Sequence, residues 1–132
     1  MQTAYQQPAM GQEYALANRV QQTMRVLRES PFPQQREWAA LELVLFDWRT
    51  NPLVVPVLLE SARNDPAGNV RASCVSALGR MQAAVEPVVN TLRGLRNDAD
   101  PRVRQEAEQA LARFGPMPAL APVPAQMPGR GN

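Results

Sequence analysis

The sequence predicts an all-α fold, a short α–α superhelix of about six helices, and three observations point to it. Two stretches of the 132-residue chain repeat each other at an offset of 33 residues. Those stretches, and the segments before them, space their apolar residues with the period of a helix. Proline and Asx residues fall at the edges of the segments, where they start and stop helices.

The elements follow in order. Segment 13–29 places Tyr14, Ala17, Val20, Met24 and Leu27 on one face, with Arg19, Gln21, Gln22 and Arg25 elsewhere. Pro31 and Pro33 mark a turn. Segment 34–48 is apolar nearly all round, through Trp38, Leu41, Val44, Leu45, Phe46 and Trp48. A helix of that kind is expected to be covered on every side, so both tryptophans read as core residues and 13–29 as part of the cover. Segment 52–63 opens on Asn51-Pro52 and carries Val55, Leu59 and Ala62 as its stripe. Segment 84–96 repeats that stripe 33 residues later, as Val88, Leu92 and Leu95.

The closest internal match lies between 64–81 and 97–114. Asn64 meets Asn97, Asp65 meets Asp98, Val70 meets Val103 and Arg71 meets Arg104. Cys74, Ala77 and Leu78 then meet Ala107, Ala110 and Leu111. These pairs set helices at 68–81 and 101–114. Asp100-Pro101 starts the second of them, and Gly115 followed by Pro116 ends it. Short loops make consecutive helices antiparallel, and the fixed period stacks the pairs. Polar residues on the outer face of 101–114 read as a terminal cap, and the same is expected at the other end, giving a complete short solenoid. Residues 1–12 and 116–132 are expected to be disordered tails around a domain at 13–115. The second tail holds five of the thirteen prolines.

Composition narrows the chemistry. All fourteen basic residues are arginine, and histidine is absent. That removes an imidazole base and a lysine Schiff base. Between residues 31 and 115 ten arginines balance ten acidic residues, so no phosphate-tracking stripe and no nucleic-acid partner are expected on charge alone. Cys74 is the only cysteine, so no intrachain disulfide forms. It occupies a stripe position that is Ala107 in the other copy, which reads as a small core residue. The apolar runs are too short to span a bilayer, and no secretory signal is evident. A cytoplasmic chain without membrane contact is the expectation.

The run ND-x4-VR-x2-(C/A)-x2-AL-x-R resembles HEAT repeats, especially the short bacterial kind also called phycobilisome-lyase-like. The likeness covers residues 34–115 well and 13–29 loosely. Two registers remain open in the first repeat. One sets Arg36 on Arg71 and Ala39 on Cys74, which puts Glu42 where Ala77 sits. The other sets Leu41, Val44, Leu45 and Trp48 on the apolar stripe.

The resemblance implies an α-solenoid whose second helices line a concave binding face, and it gives the repeated Asp65, Arg71, Asp98 and Arg104 structural work. Taking the helices before each Asn-Asp turn as those second helices, Glu60, Arg63, Asn90, Arg93 and Arg96 form the candidate partner-binding ladder. No catalytic residue, metal ligand or cofactor is assigned. The expected function is non-enzymatic binding of a protein or peptide by a monomeric scaffold. The alternatives are an accessory subunit of an enzyme, such as a lyase-like partner, and, further off, a nucleic-acid binder.

Overall fold

The computed structural model describes residues 8–116, with side chains from Tyr14 onward. The tails at 1–7 and 117–132 lie outside the described residues. The described residues form six helices: α1 (Pro8–Glu29), α2 (Pro33–Glu42), α3 (Val54–Asn64), α4 (Gly68–Arg80), α5 (Glu86–Leu95) and α6 (Pro101–Phe114). A 3-10 turn at Leu43–Leu45 extends α2, and no strand occurs among the described residues. The all-α repeat fold stands as expected.

The last four helices keep the expected bounds to within two residues; the first two differ more. α1 already runs from Pro8, the first described residue, rather than from near residue 13. α2 ends at Glu42 rather than Trp48. Phe46 is extended (φ −108°, ψ 147°), and the chain turns on Asp47. The Asp47 carboxylate accepts the Arg49 N–H at 2.9 Å, and its carbonyl accepts the Thr50 and Asn51 N–H groups at 3.2 and 3.1 Å. Asn51 therefore does not cap α3. Its side-chain amide donates to the Asp47 carbonyl at 2.8 Å, and α3 begins at Val54 without a side-chain cap.

The other end marks behave as read. Asp100 accepts the Arg102 N–H at 2.8 Å and caps α6, and Gly115 closes that helix at φ 74°. Gln82, 33 residues earlier, takes the same role after α4 at φ 54°, a left-handed conformation that costs a non-glycine residue about 1 kcal/mol.

Helices α1, α3 and α5 form one layer and α2, α4 and α6 the other. The second layer packs more closely. A Cβ placed on Gly79 of α4 would lie 2.8 Å from the Ala110 Cβ and 3.1 Å from its Cα, so the α4 and α6 backbones nearly touch. In the first layer α3 and α5 are bridged at arm's length, by the Arg63 guanidinium donating to the Thr91 hydroxyl at 3.1 Å. A two-layer stack bends toward its more closely packed layer, so α2, α4 and α6 form the inner side. The concave face is therefore not the one expected from the sequence.

The core lies between the layers. Leu43, Leu58, Leu78 and Leu92 are fully buried with Val54, Val70, Val75, Val88 and Val103. α1 contributes Val20, Met24 and Leu27, whereas Tyr14 and Ala17 of the same expected stripe are exposed. The helix read as covered on all sides is not. Trp38, Leu41 and Leu45 are 54%, 38% and 70% exposed. Trp48 is half-buried, with its indole N–H donating to the Met81 carbonyl at 3.0 Å. α2 is the first helix of its layer among the described residues, with α4 beside it on one flank and none of the described helices on the other. Among those residues the polar cap expected at both ends is found at α6 and not at α2.

Candidate functional site

The repeated Asp and Arg form a ladder along the turns between the layers. Ser30, Asp65 and Asp98 occupy equivalent places. Each side chain accepts the backbone N–H two residues on: Phe32 at 3.1 Å, Ala67 at 2.9 Å and Asp100 at 2.8 Å. Arg36, Arg71 and Arg104 each send Nη1 to the carbonyl six residues back, on Ser30, Asp65 and Asp98, at 2.9, 2.8 and 2.7 Å.

Forks then join successive repeats. Arg36 donates Nε and Nη2 to Asp65 at 2.8 and 3.0 Å, and Arg71 donates the same pair to Asp98 at 3.1 and 2.9 Å. This decides the first register in favour of Arg36 on Arg71, which puts Glu42 in the place of Ala77. Glu42 is accommodated there by an ion pair with Arg19 of α1. Arg104 ends the ladder. Its fork meets no carboxylate among the described residues, and residues 109–132 contain no Asp or Glu.

The ladder's electrostatics are those of structural pairs. The Arg71 fork holds the Asp98 carboxyl below its usual range, and the Arg102 side chain brings Asp100 down to about 2. The Asp98 value in the folded chain lies below that in the unfolded chain. Its stabilising contribution is therefore complete above the unfolded value near pH 4 and is lost as pH falls through the lower folded value. Thermal melts should be level from about pH 7 to 5 and decline below about pH 4. The Asp98→Asn variant should melt lower at pH 7 and decline less steeply. A melting point that rises on acidification would contradict this account.

The expected ladder of binding residues is displaced from the concave face. Glu60, Arg63, Asn90, Arg93 and Arg96 are all exposed, but they stand on or just after α3 and α5, in the outer layer. Three of them are engaged locally, Arg96 by donating Nε to the Arg93 carbonyl at 3.4 Å. Glu60 accepts from the Asn64 amide at 3.0 Å, and Arg63 reaches Thr91 as described.

The inner layer carries a groove of about 310 Å³ that crosses α2, α4 and α6. Glu37 and Leu41 line it from α2, Asn69, Ser76 and Arg80 from α4, and Arg102, Gln105 and Glu106 from α6. Asn69 donates to Glu37 at 2.9 Å, tying α4 to α2 across its floor. Sequence reasoning missed these residues because they belong to the helices after the Asn-Asp turns. The usable signal was the small residues of α4, which let α6 approach.

Cys74 is wholly buried, and burial pushes its thiol up, away from ionisation. No group of three His, Cys, Asp or Glu among the described residues is placed to hold a metal ion. No helix among them is long and apolar enough to cross a membrane.

No curated protein matches the chain. A family model for HEAT repeats matches residues 20–123, most of its length. The register set by Arg36, Arg71 and Arg104 and the two-layer stack agree with that match, and the chain belongs to the HEAT-repeat family.

Proposed function

We propose that the chain is a non-catalytic protein-interaction module and that the groove over α2, α4 and α6 seats its partner. One observation carries this reading: three successive helices of the inner layer present a single continuous groove. Leu41 offers an apolar contact there between Glu37, Arg80, Arg102 and Glu106. Both signs of charge alternate along it, with amide and hydroxyl groups between them. Such a surface suits specific polar contacts with a protein segment better than uniform attraction to a polyanion.

The test compares the two layers. Arg80→Ala with Glu106→Ala should leave unfolding within about 1 kcal/mol of the wild type, as for other partly exposed positions. It should abolish capture of the partner that the immobilised wild-type chain retrieves from its native cells, read by mass spectrometry. Arg63→Ala with Arg93→Ala, on the outer layer, should leave that capture intact. The reverse pattern would move the contact to the ladder of Glu60, Arg63, Asn90, Arg93 and Arg96. Loss of capture only on deleting 1–7 or 117–132 would make the helical stack a support for its tails.

A further inference from the structure

We propose that an arginine side chain of the partner seats between Glu37 and Glu106, over the floor that α4 makes; this deepens, and rests on, the reading of the groove as the partner's seat. α4 lies between α2 and α6 in the inner layer. The register that sets Arg36 on Arg71 sets Glu37 on Ala72, and the 33-residue offset sets Ser73 on Glu106. The two carboxylates therefore stand at nearly the same height, one on each side of α4, with Ala72 and Ser73 between them. Those two side chains are short, so the longer Glu37, Leu41 and Glu106 rise beside them as walls.

Ser73 gives an independent sign of a ligand. It is 8% exposed and lines the groove, and its hydroxyl has no hydrogen-bond partner among the described residues. Thr23, buried to a similar degree in α1, instead donates to the Arg19 carbonyl of its own helix at 2.8 Å. Buried hydroxyls are bonded as a rule, so an idle one at the floor of a groove marks a place for a ligand atom.

The capacity left around Ser73 is that of acceptors. Four charged side chains line the groove: Glu37, Arg80, Arg102 and Glu106. Arg102 is tied to Asp100, through Nε at 3.3 Å and Nη2 at 2.9 Å, so that pair adds no net charge. Arg80 closes α4 seven residues past Ser73, about 10 Å farther along the axis. Glu37 accepts from Asn69 through Oε1 and keeps its second oxygen, and Glu106 accepts from none of the described residues. Both carboxylates are half-buried, which strengthens their pull on a cation relative to fully solvated ones. A guanidinium answers each of these groups. Its planar fork can bridge carboxylates from two helices, a further N–H can reach the Ser73 hydroxyl, and its stem can lie along Leu41. A carboxylate or phosphate in the same place would meet two like charges.

Two capped tripeptides, acetyl-Gly-Arg-Gly-amide and its citrulline counterpart, test this by amide NMR of the full chain at low salt. Citrulline keeps the shape of arginine and lacks its charge. The arginine peptide should move the Asn69, Ser73, Ser76 and Glu106 signals with a dissociation constant of about 1–10 mM, and the citrulline peptide should move none of them. Glu106→Gln should weaken binding about tenfold, through the loss of a charge-assisted pair. Ser73→Ala should weaken it about threefold while the melting point stays level or rises, because the free chain loses no hydrogen bond. Glu108→Gln, on α6 but outside the groove, should change neither. Equal shifts with citrulline, full binding by Glu106→Gln, or a lower melting point with unchanged binding in Ser73→Ala would each overturn the proposal. If Arg80→Ala with Glu106→Ala loses the captured partner while the arginine peptide moves nothing, the groove remains the seat and arginine is not its key. If the arginine peptide binds while that double variant keeps its partner, the arginine site stands and the partner's contact lies elsewhere.

Discussion

Replacing Leu78 with alanine is expected to lower the unfolding free energy by about 4 kcal/mol. Leu78 is fully buried in α4, the helix that packs against α2, α3 and α6 together. The loss combines the transfer energy of the removed atoms with the cavity they leave. The surroundings close poorly on such a cavity, because Gly79 and Ala110 already hold α4 and α6 at backbone contact. A domain of this size has about 5–15 kcal/mol in all, so the variant should sit near the edge of folding. Leu111, its equivalent in α6, is only half-buried, and Leu111→Ala should cost about 1–2 kcal/mol. Urea titrations followed by circular dichroism would give both values. Equal losses would mean that the last pair of helices shares the core more fully than its exposure indicates.

Asp65→Asn is the second large effect, expected to cost about 3 kcal/mol. The Arg36 and Asp65 side chains are 11% and 6% exposed. The amide still accepts the Ala67 N–H, but it leaves a buried guanidinium without its carboxylate. That residual charge dominates the cost. Arg36→Met combined with Asp65→Asn should therefore be less damaging than the two single effects added together, with a coupling of about 2 kcal/mol. Strict additivity in the double-mutant cycle would show that Arg36 and Asp65 act independently.

The repeat was legible because it is written in local terms. Asn-Asp turns, the Val-Arg pairs and the stripe through Leu78 and Leu111 recur at a fixed offset, and α4 to α6 follow from them. The first pair of helices was harder. Leu43–Trp48 has helical composition, yet the chain must reverse there to reach α3. Asp47 supplies the turn, and Trp48 is held by the Met81 carbonyl, a contact 33 residues away in sequence. From α3 onward periodicity told which side chains point inward, but not which layer lies inside. That depends on the spacing between successive helices, fixed by a glycine against an alanine in one layer and by an arginine reaching a threonine in the other. The exposure of Trp38 has the same origin. An apolar pattern states that cover suits a helix, while the order of the stack decides whether its own chain supplies any.

Cys74, the one thiol in the chain, sits unexposed in the middle helix pair, so the molecule carries its own clock for opening at the centre. A thiol reagent can reach it only when α4 separates from its neighbours, and a raised thiol pKa keeps the closed state silent. Arrays with nearest-neighbour contacts loosen from their ends, so α6 frays more readily than α4 leaves its other neighbours. Alkylation rates set beside amide exchange in α6 would therefore measure how tightly one repeat is coupled to the next. That coupling decides whether the stack opens as a unit or link by link.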